Sequence, residues 1–249
     1  MEQFVAVSKE AKNAVHMANI ASSMPVSIII TGPKGVGKKL LARVVQSDAK
    51  SYYAKEFYTI VKEQRVDLAE FDSVILYNID ELSNSVQFID MLFEYDIKII
   101  ATATNFNEHY LDKFLVKIDI PPLAQREEDV EYLTKHFLHD AKKTLFLDGE
   151  IDEKNLHLDL SQNGISLKES IYKSLLFNNL SKEQVMDVVQ NYIYKNLEEE
   201  NDYKDLLEVF ELPLLLAAKK KYKSQLQMSK RLKINRVTLR KKLAKYDID

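Results

Sequence analysis

Val26-Ser27-Ile28-Ile29-Ile30-Thr31-Gly32-Pro33-Lys34-Gly35-Val36-Gly37-Lys38-Lys39 is the stretch that decides the fold. Val26 to Ile30 is a short apolar run of the kind that forms a buried strand, and it stops at a glycine-rich turn. Lys38 to Gln46 then has a helical pattern. Gly32 to Lys39 fits the phosphate-binding loop G-x-x-x-x-G-K, except that Lys39 stands where the motif ends in Ser or Thr. The chemistry needs glycines so that backbone N–H groups can turn toward phosphate oxygens, a lysine to reach the terminal phosphates, and a helix N-terminus behind them. Gly32, Pro33, Lys34, Gly35, Val36, Gly37, Lys38 and Lys39 are therefore the candidate nucleotide-binding residues. The hydroxyl missing at Lys39 normally ligates magnesium, so the loop promises phosphate binding more firmly than metal-assisted hydrolysis. A plain glycine-rich strand-to-helix turn is the competing reading.

Around this stretch the pattern alternates. Residues 3–22 have a helical apolar rhythm, Ser73 to Ile79 reads as a second core strand and Ile97 to Thr102 as a third, with helical segments between. Short apolar strands alternating with helices predict an α/β fold with a parallel sheet and flanking helices. From Arg126 onward the pattern is helical, and the acidic cluster Glu198-Glu199-Glu200-Asn201-Asp202 is the candidate linker. The predicted organisation is 1–145 as the phosphate-loop domain, 146–200 as a helical lid or linker region, and 201–249 as an all-α C-terminal domain.

Composition is that of an ordinary globular chain, 46% hydrophobic and 29% charged. With no cysteine, a disulfide framework and thiolate chemistry are excluded, which fits a reducing cytoplasm. No apolar stretch is long enough to span a bilayer, so a soluble cytoplasmic protein without a membrane partner is expected. The net charge of -3 conceals an asymmetry: residues 217–249 hold twelve Lys or Arg against two Asp, or +10, leaving -13 for the rest. A basic end on an acidic body concentrates attraction for polyanions in one place.

That basic end has internal order. Leu226, Ser229 and Leu232 can face inward from one short helix, Ile234 from a turn, and Val237, Leu239 and Leu243 from a second helix. Asn235, Arg236, Thr238, Arg240, Lys241, Lys242 and Lys245 then lie at the start and outer face of the second helix, where side chains reach base edges and phosphates. Ile234-Asn235-Arg236 followed by Thr238-Leu239-Arg240-Lys241-Lys242-Leu243 and Lys245-Tyr246 resembles the C-terminus of the nucleoid protein Fis. Asp205-Leu206-Leu207 and Glu211-Leu212-Pro213-Leu214-Leu215 resemble the Fis helix that precedes its helix-turn-helix. The resemblance implies double-stranded DNA as partner, a homodimer, and a nucleoid-associated bacterial transcriptional regulator. Leu226 stands where Fis has a hydroxyl, which leaves base preference open.

Gly32 to Arg43, Ile99 to Asn105, and Ile120-Pro121-Pro122-Leu123-Ala124-Gln125-Arg126-Glu127-Glu128-Asp129-Val130 are similar, in that order, to the AAA+ domain of sigma-54 activators of the NtrC type. That resemblance covers about residues 3–140 and implies ATP or ADP as ligand, with Asn105 at the sensor strand. The departures are numerous. The residue after the loop lysine, glutamate in that family, is Lys39. The family's Walker B Asp-Glu falls on Tyr77 and Asn78, and Asp80 and Glu81 are catalytic candidates only through a shifted Walker B. Its two trans-acting arginines fall on Asn107 and Lys113, and its lid arginine is missing, with Gly164 to Glu169 offering Lys168. Residues 40–72 hold no Gly-Ala-Phe-Thr-Gly-Ala loop, so sigma-54 cannot be contacted in the usual way. The sequence reading is a DNA-binding regulator whose degenerate AAA+ domain binds nucleotide without efficient hydrolysis. The alternatives are an ATPase remodelling another partner and a Fis-like nucleoid-shaping protein. No metal site is assigned: His136 and His139 lack a third ligand of suitable spacing.

Overall fold

The computed structural model describes residues 3–105, 107–147, 156–197, 203–222 and 224–248. They form two compact units, Met1–Asn179 and Leu180–Asp249. The division falls inside the 146–200 segment read from sequence as one lid or linker region, and the candidate linker 198–202 lies outside the described residues.

The first unit is built on five parallel strands, β1 (Ile28–Thr31), β2 (Lys50–Tyr53), β3 (Ser73–Tyr77), β4 (Lys98–Ala103) and β5 (Val116–Asp119), in the order β2-β3-β4-β1-β5. The three central strands are the three apolar runs, each buried along most of its length. The predicted α/β fold with a parallel sheet and flanking helices is therefore present. Edge strands β2 and β5 were not anticipated, because each is four residues long and mixes polar with apolar side chains at the margin of the sheet.

Helices α1 (Lys9–Ser22), α2 (Lys38–Val45), α3 (Ala54–Lys62), α4 (Ser85–Glu94) and the single turn α5 (Glu108–Leu111) flank the sheet, and α6 (Glu127–Leu145) follows them in the chain. On one side, Phe57, Phe71, Phe88 and Leu92 pack against Ile29, Val74, Leu76 and Ile99; on the other, Ala14, Ala18, Leu41 and Val45 pack against Ile28, Ile30, Ile75 and Ile100. The helical rhythm expected from residue 3 begins only at Lys9. Ser8 caps α1 by accepting from the Ala11 amide, and the amides of Val7 and Ser8 are drawn out of line by Asp129. A third core joins α6 to α7 (Gly164–Asn178) through Leu138, Ala141, Leu167, Ile171 and Leu175.

The second unit holds α8 (Lys182–Asn196), α9 (Tyr203–Lys221), α10 (Gln225–Leu232) and α11 (Arg236–Lys245). Its core is Leu215, Ala218, Met228, Leu239 and Leu243, with Leu232 and Ile234 packed beside it. Two inward assignments are corrected: Leu226 is 44% and Val237 62% exposed. Met228 and Ser229 bury α10 instead, which turns Leu226 outward, while Val237 lies in the first turn of α11 on the face opposite Leu239 and Leu243. No helix among the described residues is long and apolar enough to cross a membrane.

Candidate functional site

At the C-terminal edge of β1 the chain turns through Gly32 to Gly37 before entering α2. Gly35 and Gly37 have φ of 84° and 104°, a region side chains disfavour. Space forbids a Cβ as well: it would stand 2.1 Å from the Gln162 carbonyl at Gly35 and 2.8 Å from the Phe4 ring at Gly37. Gly37 is the N-cap of α2 and has no side chain to answer the first-turn amides. Among the described residues, the amides of Gly35, Val36 and Gly37 make no hydrogen bond to another protein group. The result is a row of unanswered donors at the positive end of a helix, the arrangement that binds phosphate.

Lys38 is folded down beneath this loop. Its ammonium donates to the carbonyls of Gly32 (2.6 Å) and Pro33 (2.9 Å) and to Thr104 Oγ1 (3.0 Å). Burial lowers its pKa to about 8, against the opposing pull of Asp80 and Asp119. Asp80 Oδ2 accepts from the amides of Thr104 (3.1 Å) and Asn105 (2.9 Å), fixing the turn after β4, while Oδ1 is buried without a partner. The Asn105 carbonyl accepts from the Tyr110 hydroxyl, whose pKa is raised to about 12 by desolvation first and by Asp80 second.

Lys39 takes a different course. It donates to the Tyr53 hydroxyl at 2.6 Å and lies 4.2 Å and 5.0 Å from the ring centroids of Tyr53 and Tyr77. Those tyrosines end β2 and β3, are direct partners across the strand pair, and meet edge to face. Next along the chain, Asn78 adopts a left-handed conformation, donates its amide to Thr102 Oγ1 and its side chain to Glu81 at 2.7 Å. Glu81 also faces Lys55 at 3.6 Å.

Three segments distant in sequence close the site. Asn163 is buried with φ 56°, donates to the Lys34 carbonyl (2.8 Å) and accepts from the Leu123 amide (2.6 Å); beside it the Gly164 amide donates to the Gly35 carbonyl at 3.1 Å. The start of α7 thus fixes the loop from above. Arg126, 3% exposed, donates to the Val36 carbonyl, pairs with Asp129 at 3.5 Å and lies 5.9 Å from the Phe4 ring. Its pKa is lowered by burial, which Asp129 and Glu10 partly offset. Asp129, fully buried, also takes the Val7 and Ser8 amides and the Ser8 hydroxyl, which anchors residues 4–8 beside the loop. Together these elements enclose a cavity of about 850 Å³. It has a cationic floor at Lys34 to Lys39 and an apolar wall of Val5, Leu123, Leu133, Phe137 and Ile165, with Lys168 and Glu169 at its margin. Those dimensions and that polarity suit a nucleoside polyphosphate.

Residues 4–65 match the Sigma-54 interaction domain family. The matched stretch runs from the anchored N-terminal segment through the phosphate loop to the end of α3. No curated protein matches the chain. Among solved structures, NtrX from Brucella abortus in complex with ATP is 16% identical, with a TM-score of 0.58 over 98% of this chain and 69% of that one. The same protein in complex with ADP gives 16% identity and a TM-score of 0.59 over the same shares. The α/β unit thus has a fold similar to AAA+ domains.

Of the residues singled out in sequence, Lys34 to Lys39 with Asp80, Glu81 and Asn105 line this one cavity, while Gly32 and Pro33 serve through their carbonyls. Phe4, Tyr53, Arg126, Asp129 and Asn163 were missed as parts of the site. Asn163-Gly164 was the one signal available, since such a pair is turn chemistry and marks a backbone with an unusual task. For metal, no group of three or more His, Asp or Glu side chains converges among the described residues.

In the second unit, Lys233 with φ 54° ends α10, and Asn235 caps α11 by accepting from the Val237 amide at 2.9 Å. Arg236, Thr238, Arg240 and Lys241 are exposed, and the three cations among them have no ion-pair partner among the described residues. Lys242 instead turns back to Glu211, which also accepts from the Tyr246 hydroxyl at 3.0 Å and is held below the usual carboxylate range mainly by Lys242. Lys245 donates to Tyr246. Lys242 thus fastens α11 to α9, and the outward cationic face is the remainder.

Proposed function

We propose that this chain is a DNA-binding transcriptional regulator, with α10 and α11 as a Fis-type helix-turn-helix and the α/β unit as a degenerate AAA+-like domain. The observation that carries the reading is the outer face of α11. Arg236, Arg240 and Lys241 are exposed cations beside Thr238 on a helix fixed by a cap, a short turn and a small core. Arginine supplies bidentate base contacts, and lysine supplies salt-dependent phosphate attraction. The protein acts as a homodimer at the nucleoid, in keeping with the Fis-like sequence.

The α/β unit binds ATP or ADP on the phosphate loop and turns it over poorly. What supports slow turnover is the commitment of the expected catalytic positions to other partners. Tyr77 carries no carboxylate, Glu81 is taken by Asn78 and Lys55, Asn107 caps α5 through the His109 amide, and Lys113 pairs with Asp90 at 2.7 Å. Residues 40–72 fold into α2, β2, α3 and a turn rather than a projecting loop, which leaves sigma-54 no usual contact. A second reading, ATP turnover through Asp80, is favoured by its buried and unpartnered Oδ1. It requires phosphate release that disappears in Asp80→Asn.

The deciding experiment is fluorescence anisotropy of the full chain on labelled duplex DNA at physiological salt. Arg236→Ala with Arg240→Ala is expected to lower affinity about 100-fold, each arginine accounting for roughly tenfold. Unchanged affinity would remove the helix-turn-helix assignment.

A further inference from the structure

A phosphate loop of the usual kind works with a divalent cation, and the groups beside this loop are a poor fit for one. In the motif, the residue after the loop lysine gives magnesium a hydroxyl. Here that residue is Lys39, a positive charge where the NtrC-type family has a negative one. The end of β3, where a carboxylate would face the metal, carries the Tyr77 ring. Asp80 has one oxygen engaged by two backbone amides, acts on Lys38 electrostatically and leaves a single carboxylate oxygen, Oδ1, without a partner, and Glu81 is engaged by Asn78 and Lys55. A small hard dication needs several oxygen ligands in near-octahedral order, and two neighbouring ammonium groups repel it.

Lys39 is also built into its place. The last residues of β2 and β3 pair directly, so Tyr53 and Tyr77 stand side by side at the strand ends, 5.9 Å between ring centroids. The ammonium rests over both rings with the Tyr53 hydroxyl as acceptor. Each of these holders is neutral. They orient the charge by cation–π attraction without cancelling it, and Lys39 lines the cavity next to the open amides of the loop.

We propose that this site binds nucleoside di- and triphosphates free of divalent metal, with the Lys39 ammonium supplying the positive charge that magnesium supplies elsewhere. The inference rests on the nucleotide-binding reading above and adds the form of the ligand. It has a regulatory consequence. Magnesium in solution competes with the site for the nucleotide, and a triphosphate chelates it more strongly than a diphosphate. Excess Mg²⁺ therefore weakens ATP binding more than ADP binding, and the site samples the diphosphate preferentially.

The test is calorimetric titration of ATP and of ADP into the full chain, once in excess EDTA and once in excess MgCl₂, with Lys39→Thr beside the natural sequence. The expected result is tighter ATP binding in EDTA than in MgCl₂, with a smaller difference for ADP. Lys39→Thr should bind at least about tenfold more weakly in EDTA, the size of one lost charge-assisted hydrogen bond. Binding of ATP as tight or tighter with MgCl₂ than with EDTA overturns the inference and leaves the nucleotide-binding reading intact. So does undiminished affinity of Lys39→Thr in EDTA, with its folding confirmed by circular dichroism. Absence of binding by the natural sequence under both conditions removes the nucleotide-binding reading and this inference with it.

Discussion

Helices α2 and α11 both begin with a cationic residue directly after a turn, yet their N-termini are finished in opposite ways. Gly37 leaves the first amides of α2 open, whereas the Asn235 side chain closes α11 onto itself. An open helix end is itself a binding element for a compact anion, and a closed one is a support for side chains that bind elsewhere. The cations follow the same division. Lys38 is buried and engaged by carbonyls, while Arg236 and Arg240 stand in solvent. On the proposed reading, one region is therefore shaped for a small polyphosphate held close, and the other for an extended polyanion lying across its surface.

The contrast can be broken at either end. The largest effect is expected for Lys38→Ala, which removes the ammonium under the open loop: ATP affinity should fall roughly 10-fold to 100-fold by calorimetry, as for a lost charge-assisted contact. DNA affinity without nucleotide should be unchanged, and a matching loss there would dissolve the distinction between the two regions. Asn163→Ala leaves the Leu123 amide and the Lys34 carbonyl without their partner, at an expected cost of about 1–3 kcal/mol in urea unfolding of the α/β unit.

Acidity sharpens the comparison from another side. Lys38 has a pKa of about 8 in the folded chain, against an ordinary 10.5. Phosphate needs it charged, so ATP affinity should be nearly flat below pH 8 and weaken above it by up to about tenfold per unit. The free protein behaves in the opposite sense. Between pH 8 and 10.5 the unfolded chain binds the extra proton, so Lys38's unfavourable contribution is full below that window and fades as pH rises through it. The smallest change is Asn235→Ala, which opens the end of α11 and should cost about 1 kcal/mol in thermal unfolding of the second unit.

How much of this was legible in sequence follows from where each residue's reason lies. β1, the phosphate loop and α2 were legible because a buried apolar run, three glycines and a lysine state their task within fourteen consecutive residues. The Lys39 seat was not. Tyr53 belongs to a four-residue edge strand with no apolar signature, and it meets Lys39 only because β2 pairs with β3. Asn163 and Arg126 were equally hidden, since their partners lie 129 and 90 residues away. In the second unit the cationic face was legible from charge alone. The inward faces of Leu226 and Val237 were misread because two helices of eight and ten residues are too short for periodicity to fix their rotation.

The anchoring of the phosphate loop has a consequence for the order in which the chain folds. The contacts that complete the site, Asp129 to Val7 and Ser8 and Asn163 to Lys34, join residues more than 120 positions apart. Their loop-closure entropy is paid before any local reward offsets it, unlike the neighbouring turns of α1 or α2. During synthesis the loop and its strand emerge long before the residues that hold them. On the nucleotide-binding proposal, competence to bind an anion is therefore a late property of the folding chain, arriving when α6 and α7 dock rather than when the motif itself is made.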